Sequence, residues 1–366
     1  MKGSPRTHDT DFLAPLLGDL FVVEAIYRRD KRLEVSLGYR YDREKSNALI
    51  RERLRHSGYD HSFHETDEHL ILSIDPRRHF RIPPVNLLLF LLTLFTVYII
   101  PVFFRFQTAA SSLSDAVART LSALGNGAGI EFTLAMITIL FVHEMGHYTA
   151  SRRRGIVTSW PYFIPAPNII GTFGAIIKSK SPFWNRRDLI EVGASGPIAG
   201  WVIAVAWLVY GLSNSDIMPM NALSPDMLPF TMEGESLLIR FLVPILTGSA
   251  PDGWYYVFTE AAFAGWVGLL VTAINLLPVG QLDGGHILYG LIRKKQTIFG
   301  WIAVVGLLAL GFHSLIWWIF AAFGLFFGVS HPPTLNDGRR PGTIASVMAI
   351  VAIVILIVSL TPVPFR

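Results

Sequence analysis

The sequence contains no cysteine and few charged residues. The absence of cysteine from its 366 residues excludes disulfide bonds and thiolate chemistry. Only 16% of the residues are charged, 51% are hydrophobic and the mean hydropathy is +0.44, whereas soluble domains have about 25% charged residues. The composition therefore indicates a membrane protein with the lipid bilayer as a partner. The small net charge of +4 gives no indication of nucleic-acid binding.

The first 82 residues also lack a long apolar run, and they show no signal-peptide pattern. Their apolar residues alternate or repeat in short segments, which is typical of a small water-soluble domain. We predict two strands, then a helix, then a hairpin that turns at Thr66–Asp67, over residues 20–29, 32–40, 43–59 and 61–75. Residues 1–82 are therefore expected to form an N-terminal cytoplasmic α+β domain.

Long apolar runs begin only after residue 83. A membrane-spanning helix needs about 20 mostly apolar residues, and such runs lie at 85–105, 130–151, 190–212, 257–280, 314–330 and 343–361, with a shorter one at 298–312. Proline and glycine interrupt two further stretches, 160–177 and 237–247, which we interpret as re-entrant or interfacial. Residues 83–366 are thus predicted to form an α-helical polytopic membrane domain of about six to eight spans with a re-entrant loop.

Basic residues in short loops predict the orientation, because lysine and arginine are retained on the cytoplasmic side. All the basic clusters fall on one side if the N-terminus is cytoplasmic: Arg77–Arg81, Arg152–Arg154, Lys178–Arg187, Arg293–Lys295 and Arg339–Arg340. The loop 213–256 has a single basic residue, Arg240, and is acidic, so we expect it outside. The protein is therefore predicted to be multi-pass with a cytoplasmic N-terminus. As a separate expectation, the membrane is that of a prokaryotic cell.

Three ionisable residues lie at the end of the second apolar run, in "FVHEMGH" at 141–147. His143 and His147 are four residues apart, so they share one face of a helix and can bind one zinc ion. Glu144 lies beside that face and can accept a proton from water. A purely structural role in holding helices together is the alternative. Ionisable residues inside a span are usually functional, so we favour a metal site.

A catalytic zinc normally has three protein ligands and one open position. Ala150 and Arg153 stand where a soluble metzincin has glycine and histidine, so the third ligand must come from elsewhere. The best candidate is Asp283 in "NLLPVGQLDGGH" at 275–286, because two spans joined by an outside loop return the chain to the depth of the histidines. Gly284 and Gly285 let the backbone approach the metal or break the helix.

The two motifs together resemble those of the site-2 proteases, a family of intramembrane zinc metalloproteases. The resemblance rests on "HEMGH" at 143–147 and on the spacing Asn275-x-x-Pro278-x4-Asp283-Gly284. It extends to residues 171–200, which are similar to the membrane-dipping loop and following helix of that family, and it covers roughly 80–290. No PDZ-like insertion is visible in the outside loop, so the chain is more similar to the PDZ-less plastid and cyanobacterial members.

The resemblance implies a role for each matching residue. His143, His147 and Asp283 would bind zinc, Glu144 would be the general base, and Asn275 would hold the substrate backbone or the oxyanion near the metal. The sequence therefore predicts an intramembrane zinc endopeptidase, with one Zn²⁺, that cleaves transmembrane segments of membrane proteins.

Several alternatives are weighed against this prediction. A proteolytically inactive homologue that binds or assembles membrane proteins would usually have lost a ligand or the base, and none is lost here. A CAAX-type protease would need a second glutamate or histidine ligand, and a di-iron oxidase would need more histidines.

Three other residues have local interpretations. His286 either orients a ligand or caps a helix, and Gly196 and Gly200 fit close packing between spans. The sequence gives no indication of the oligomeric state.

Overall fold

The computed structural model describes residues 13–18, 20–29, 32–55, 59–65, 69–78, 82–107, 110–154, 156, 158–179, 183, 185–224, 227, 229–230, 235–334, 337–338 and 340–364. The predicted turn at Thr66–Asp67 lies outside these residues. The chain divides into two compact units. The first comprises Met1–Pro84, Tyr148–Trp160 and Ile177–Trp184, and the second comprises Val85–His147, Pro161–Ile176 and Asn185–Arg366.

The N-terminal part of the first unit is built on a four-stranded antiparallel sheet in the order β1-β2-β4-β3. Its elements in chain order are α1 (Leu13–Leu17), β1 (Phe21–Arg29), β2 (Arg32–Tyr39), α2 (Arg43–Arg55), β3 (Tyr59–Glu65) and β4 (His69–Arg78). The sequence prediction of strands, helix and hairpin is confirmed, and the short helix α1 was not predicted.

Alternation along two central strands explains why this sheet has one buried face. Val35 pairs with Leu72, and both side chains are fully buried. The neighbours two positions away on each strand are also buried, and they pack with Leu49, Ile50 and Leu54 of α2. A period of two places every second side chain on the same face of a strand. The helix therefore covers one face of the sheet.

The second unit is mostly helical. From Pro84 onward, the α-helices in chain order are α3 (Pro84–Gln107), α4 (Leu113–Gly125), α5 (Ile130–Arg153), α6 (Arg186–Leu212), α7 (Leu237–Thr247), α8 (Glu260–Asn275), α9 (Asp283–Ile292), α10 (Gln296–Leu310), α11 (Leu315–Phe327) and α12 (Thr343–Ser359). Each predicted apolar run overlaps one of these helices. The prediction of a mostly helical membrane protein is therefore confirmed.

Length and composition identify fewer spans than the sequence predicted. Among the described residues, α3 and α6 are long and apolar enough to cross a membrane. The pair α4 and α5, bent by 78°, passes the same test together, which gives two or three candidate spans. The helices α7, α8, α11 and α12 are apolar but shorter. The count of six to eight crossings stays a prediction.

The stretch predicted as re-entrant contains a β-hairpin of β5 (Tyr162–Pro165) and β6 (Thr172–Ile176). Its loop is shaped by Asn168, whose side-chain oxygen accepts hydrogen bonds from the backbone N–H groups of Ile170 and Gly171 at 3.0 and 2.9 Å. Gly171 has a φ of +82° and lies against the backbone of Val97 in α3, where a β-carbon would collide. The entry of this hairpin into the membrane stays a prediction.

The loop predicted to lie outside contains a small sheet of β7 (Asp216–Pro219), β8 (Pro229–Phe230) and β9 (Trp254–Val257), in the order β7-β9-β8. One of its acidic residues is not solvated: Glu235 is buried and accepts a hydrogen bond from Trp266 Nε1 in α8 at 3.0 Å.

Helix α6 is the centre of the second unit, and it packs against α8, α9 and α12. Small residues allow the approach of α8, because a β-carbon on Gly265 would lie only 2.6 Å from the backbone nitrogen of Leu208. The helix begins at a defined place, since the side chain of Asn185 accepts a hydrogen bond from Asp188 N. Gly196 and Gly200 of α6 lie against His147 and His143 of α5, and Gly193 lies against His286 of α9.

Candidate metal centre

Helix α5 presents both histidines of the motif on one face. The Nε2 atoms of His143 and His147 are 3.1 Å apart, and both rings are buried. The spacing of four residues produces this arrangement, because residues four apart lie one above the other on a helix.

Asp283 completes a group of three potential ligands. Helix α8 ends at Asn275, the chain turns, and α9 begins at Asp283. The Oδ2 atom of Asp283 lies 3.4 Å from His143 Nε2 and 3.3 Å from His147 Nε2. Asp283 is therefore the first residue of a short helix that is separate from α8.

The triangle of ligand atoms has the size that zinc requires. Tetrahedral zinc bonds nitrogen and oxygen at about 2.0–2.1 Å, which places neighbouring ligand atoms about 3.3 Å apart. The three edges here measure 3.1, 3.3 and 3.4 Å. Among the described residues, this is the group of three metal-binding side chains that comes together. The donor set of two imidazoles and one carboxylate fits the metal.

Helix α6 orients one of the potential ligands. The carbonyl oxygen of Val192 lies 2.8 Å from His147 Nδ1. Because a carbonyl can only accept, Nδ1 carries the hydrogen and the Nε2 lone pair is left for a metal. Sequence reasoning did not find Val192, since a backbone carbonyl leaves no side-chain signal.

Two glycines of α6 make room for the histidine rings. A β-carbon on Gly196 would collide with His147 Nε2. One on Gly200 would lie 2.9 Å from His143 Cβ and 3.0 Å from its Nδ1. The sequence predicted close helix packing at these positions, and the structure shows that the packed neighbours are the two histidines. Their spacing of four residues was the signal.

Gly284 and Gly285 have a comparable role at the start of α9. A β-carbon on Gly284 would collide with the carbonyl oxygen of Leu276, and one on Gly285 with that of Gly280. These glycines therefore let α9 fold back onto the turn that precedes it. The contact that they permit is with the chain's own backbone.

Glu144 is buried beside the ligand triangle and is not part of it. Its Oε2 atom has no hydrogen-bond partner among the described residues. Glu144 directly follows His143 on α5. A buried carboxyl oxygen without a protein partner fits a group that binds water or substrate.

Asn275 and His286 flank Asp283 on either side. Asn275 is the last residue of α8 and is half-buried, and its role at the metal stays a prediction. His286 lies in the first turn of α9 and packs closely on Gly193 of α6, where an added β-carbon would lie 3.0 Å from His286 Cβ. Its Nδ1 is 2.6 Å from His331 Nε2. It is therefore within a helix turn of Asp283, with a histidine partner that the sequence did not indicate.

The sequence pattern of Peptidase family M50 matches residues 131–310, a range that contains all five predicted site residues. The chain is 33% identical over 208 residues to "Probable zinc metalloprotease EGY2, chloroplastic" of Oryza sativa subsp. indica, which is 56% of this chain and 37% of the relative. It is 32% identical over 245 residues to "Probable zinc metalloprotease EGY1, chloroplastic" of Arabidopsis thaliana, covering 64% and 43%.

The chain thus spans less than half the length of these relatives. No solved structure matches it. The similarity covers the helices that carry the ligand triangle.

Proposed function

Because the chain belongs to peptidase family M50, the site-2 protease family, we propose that it is an intramembrane zinc endopeptidase that cleaves transmembrane segments of membrane proteins. The observation that carries the proposal is the triangle of His143 Nε2, His147 Nε2 and Asp283 Oδ2 beside Glu144, in which both histidines are buried and Asp283 is partly buried. Two nitrogens and one oxygen leave one tetrahedral position for water or substrate.

Zinc held by these three residues supplies a Lewis acid that polarises the scissile carbonyl and makes water more acidic. The remaining chemistry belongs to the protein's own side chains. Glu144 takes the proton from the attacking water and delivers it to the nitrogen of the leaving amine. The hydrogen bond from His147 Nδ1 to Val192 O holds this ligand's ring in one tautomer and one orientation throughout.

We assign Asn275 to the substrate side of the site. A neutral amide can donate a hydrogen bond to developing negative charge without titrating. No observation favours the inactive-homologue alternative, since none of the three proposed ligands and the proposed base is replaced in the sequence.

The substrate must be extended at the cleaved bond, because a peptide bond inside a helix is shielded by its own turns. Extended backbone in a membrane needs hydrogen-bond partners. The hairpin of β5 and β6 offers such partners, and we propose that the substrate pairs with one of its edges.

We further propose that the N-terminus is cytoplasmic and that residues 171–182 enter and leave the membrane on that side; Lys180 to Pro182 lie outside the described residues. The relatives' names place them in chloroplasts, so a prokaryotic cell membrane rests on the sequence expectation alone.

The cysteine-free chain permits a direct test of this topology with single cysteines at Arg154 and Lys178. Both should react with an impermeant reagent from the cytoplasmic face only. Reaction from opposite faces would exclude the re-entrant arrangement.

Replacing Glu144 with glutamine tests the enzymatic proposal. Glutamine keeps the shape of the side chain but cannot accept the proton, so cleavage should fall by about 10²- to 10⁴-fold. Zinc content should not change, because Glu144 is not a ligand. Proteomic comparison of membranes should show fragments cut within a span for the wild type, and the intact substrate co-purifying with Glu144→Gln.

A matched control is Glu131→Gln, which makes the same change in the first turn of α5, three helical turns before the motif. It should cleave like the wild type. Equal cleavage by Glu144→Gln and the wild type would remove Glu144 from the mechanism. An absence of fragments from both would favour the inactive homologue.

A further inference from the structure

The segment between α11 and α12 runs alongside the helix that carries Asp283. We call residues 328–338 the strap; of these, 328–334 and 337–338 are described. It lies beyond residue 310, where the family match ends. Its contacts follow α9 in order, from the turn before Asp283 to the end of the helix, so the strap and α9 run in the same direction.

The first contact joins the strap to the turn that precedes Asp283. Val329 O accepts hydrogen bonds from Gly280 N at 2.9 Å and from Gln296 Nε2 at 3.0 Å. The fully buried amide of Gln296 also donates to Pro278 O at 2.9 Å and accepts from His331 N at 3.1 Å. One side chain therefore ties the strap and the turn together.

The second contact is a pair of histidines. His331 Nδ1 lies 2.5 Å from Pro332 O, which can only accept, so Nδ1 carries the hydrogen. In the neutral ring, His331 Nε2 is then the acceptor, and His286 Nδ1 must donate to it across 2.6 Å. The chain of hydrogen bonds fixes the tautomer of both rings. The His331 ring also packs against that of Tyr289 at a centroid distance of 4.8 Å.

The third contact holds the end of α9. Asp337 accepts hydrogen bonds from Tyr289 Oη and Thr334 Oγ1, each at 2.6 Å, and its backbone carbonyl accepts from Arg293 at 2.6 Å. Burial would raise the pKa of Asp337, but the hydroxyls of Thr334 and Tyr289 outweigh it and hold the pKa below its usual value. Asp337 is thus an anion with defined partners.

We infer that the strap fixes the position of α9 and therefore of Asp283, and that His331 and Asp337 are positioning residues for this metal ligand. Helix α9 has only ten residues, and its N-cap residue Leu282 makes no side-chain capping bond. So short a helix is marginal by itself. Its direction depends on its neighbours, which include α6, α10, α12 and the strap.

The inference rests on the proposed metal site, in which Asp283 supplies one of three ligands. Residues that orient a metal ligand typically change metal affinity by about 10- to 100-fold when they are replaced. Loss of the strap contacts should therefore speed the release of zinc without removing any ligand.

The test uses the full-length protein in detergent and follows zinc release to a colorimetric chelator. His331→Phe keeps an aromatic ring beside Tyr289 but cannot accept from His286, and zinc should leave about tenfold faster. His331→Gln retains an acceptor oxygen and should restore part of the retention. His64→Phe, the same replacement at an exposed position of β3, is the control and should release zinc like the wild type.

A second variant guards against misfolding of the first. Tyr289→Phe removes only the hydroxyl that binds Asp337, and it should also accelerate zinc release. Cobalt-substituted protein should show an altered ligand-field spectrum in both variants, because the aspartate ligand is displaced. Wild-type release rates and an unchanged spectrum in Tyr289→Phe and His331→Phe would overturn the inference. Failure of the wild type itself to bind zinc would instead overturn the proposed metal site.

Discussion

The N-terminal sheet and the helical unit differ in the polar side chains that they bury and in the apolar ones that they expose. In the N-terminal sheet the fully buried residues are apolar, such as Val35 and Leu72. In the helical unit many large exposed side chains are apolar, such as Phe95 at 61% and Phe326 at 83%, while His143 and Glu144 are buried. The difference indicates two solvents, water around the sheet and lipid around the helices. Buried polar groups in the helical unit are costly, which is why they mark its function.

The largest expected effect is the loss of stability of the N-terminal sheet in Leu72→Ala. Leu72 is fully buried at the centre of β4, opposite Val35. Truncation of a buried leucine costs about 2–5 kcal/mol. Hydrogen exchange of the full-length protein should show faster exchange in β2 and β4. Unchanged protection of these strands would mean that Leu72 is not part of a packed core.

The same polar replacement at two equally exposed positions should then separate the two solvents. Phe95, near the middle of α3, and Tyr27, in the edge strand β1, are 61% and 64% exposed. Lysine at the centre of a membrane helix costs about 2.5–3.5 kcal/mol, so Phe95→Lys should reduce the fraction of protein inserted into membranes. Tyr27→Lys should change stability by no more than about 0.5 kcal/mol. Equal tolerance of both changes would argue against lipid around α3.

Local patterns predicted most of the elements. Alternation in "RLEVSLGYR" predicts β2, and the apolar runs predict helices close to the observed bounds of α3, α5 and α12. These elements are determined by which face or stretch must avoid water. Helix α4 was not predicted, because its "LSDAVARTLSALG" is short and amphipathic and does not form an apolar run.

The grouping of the three potential ligands was predicted from the sequence, and the strap was not. An interval of four residues places two side chains on the same face of any helix. This interval between His143 and His147 predicted a shared metal ion, and the same interval between Gly196 and Gly200 predicted close packing. The break between Asn275 and Asp283 could not be located, because a turn inside an apolar stretch leaves hydropathy unchanged. The contact of His286 with His331 joins residues 45 positions apart in the chain, and such long-range pairs have no local sequence signal.

Zinc content of purified protein tests the central claim most directly. The account predicts about one zinc per chain in the wild type, the same content in Glu144→Gln, and a clear loss in Asp283→Ala, where one corner of the ligand triangle disappears. All three proteins would be measured at equal concentration after the same dialysis against a weak chelator. Full zinc occupancy in Asp283→Ala would contradict the assignment of Asp283 and the metal centre described here.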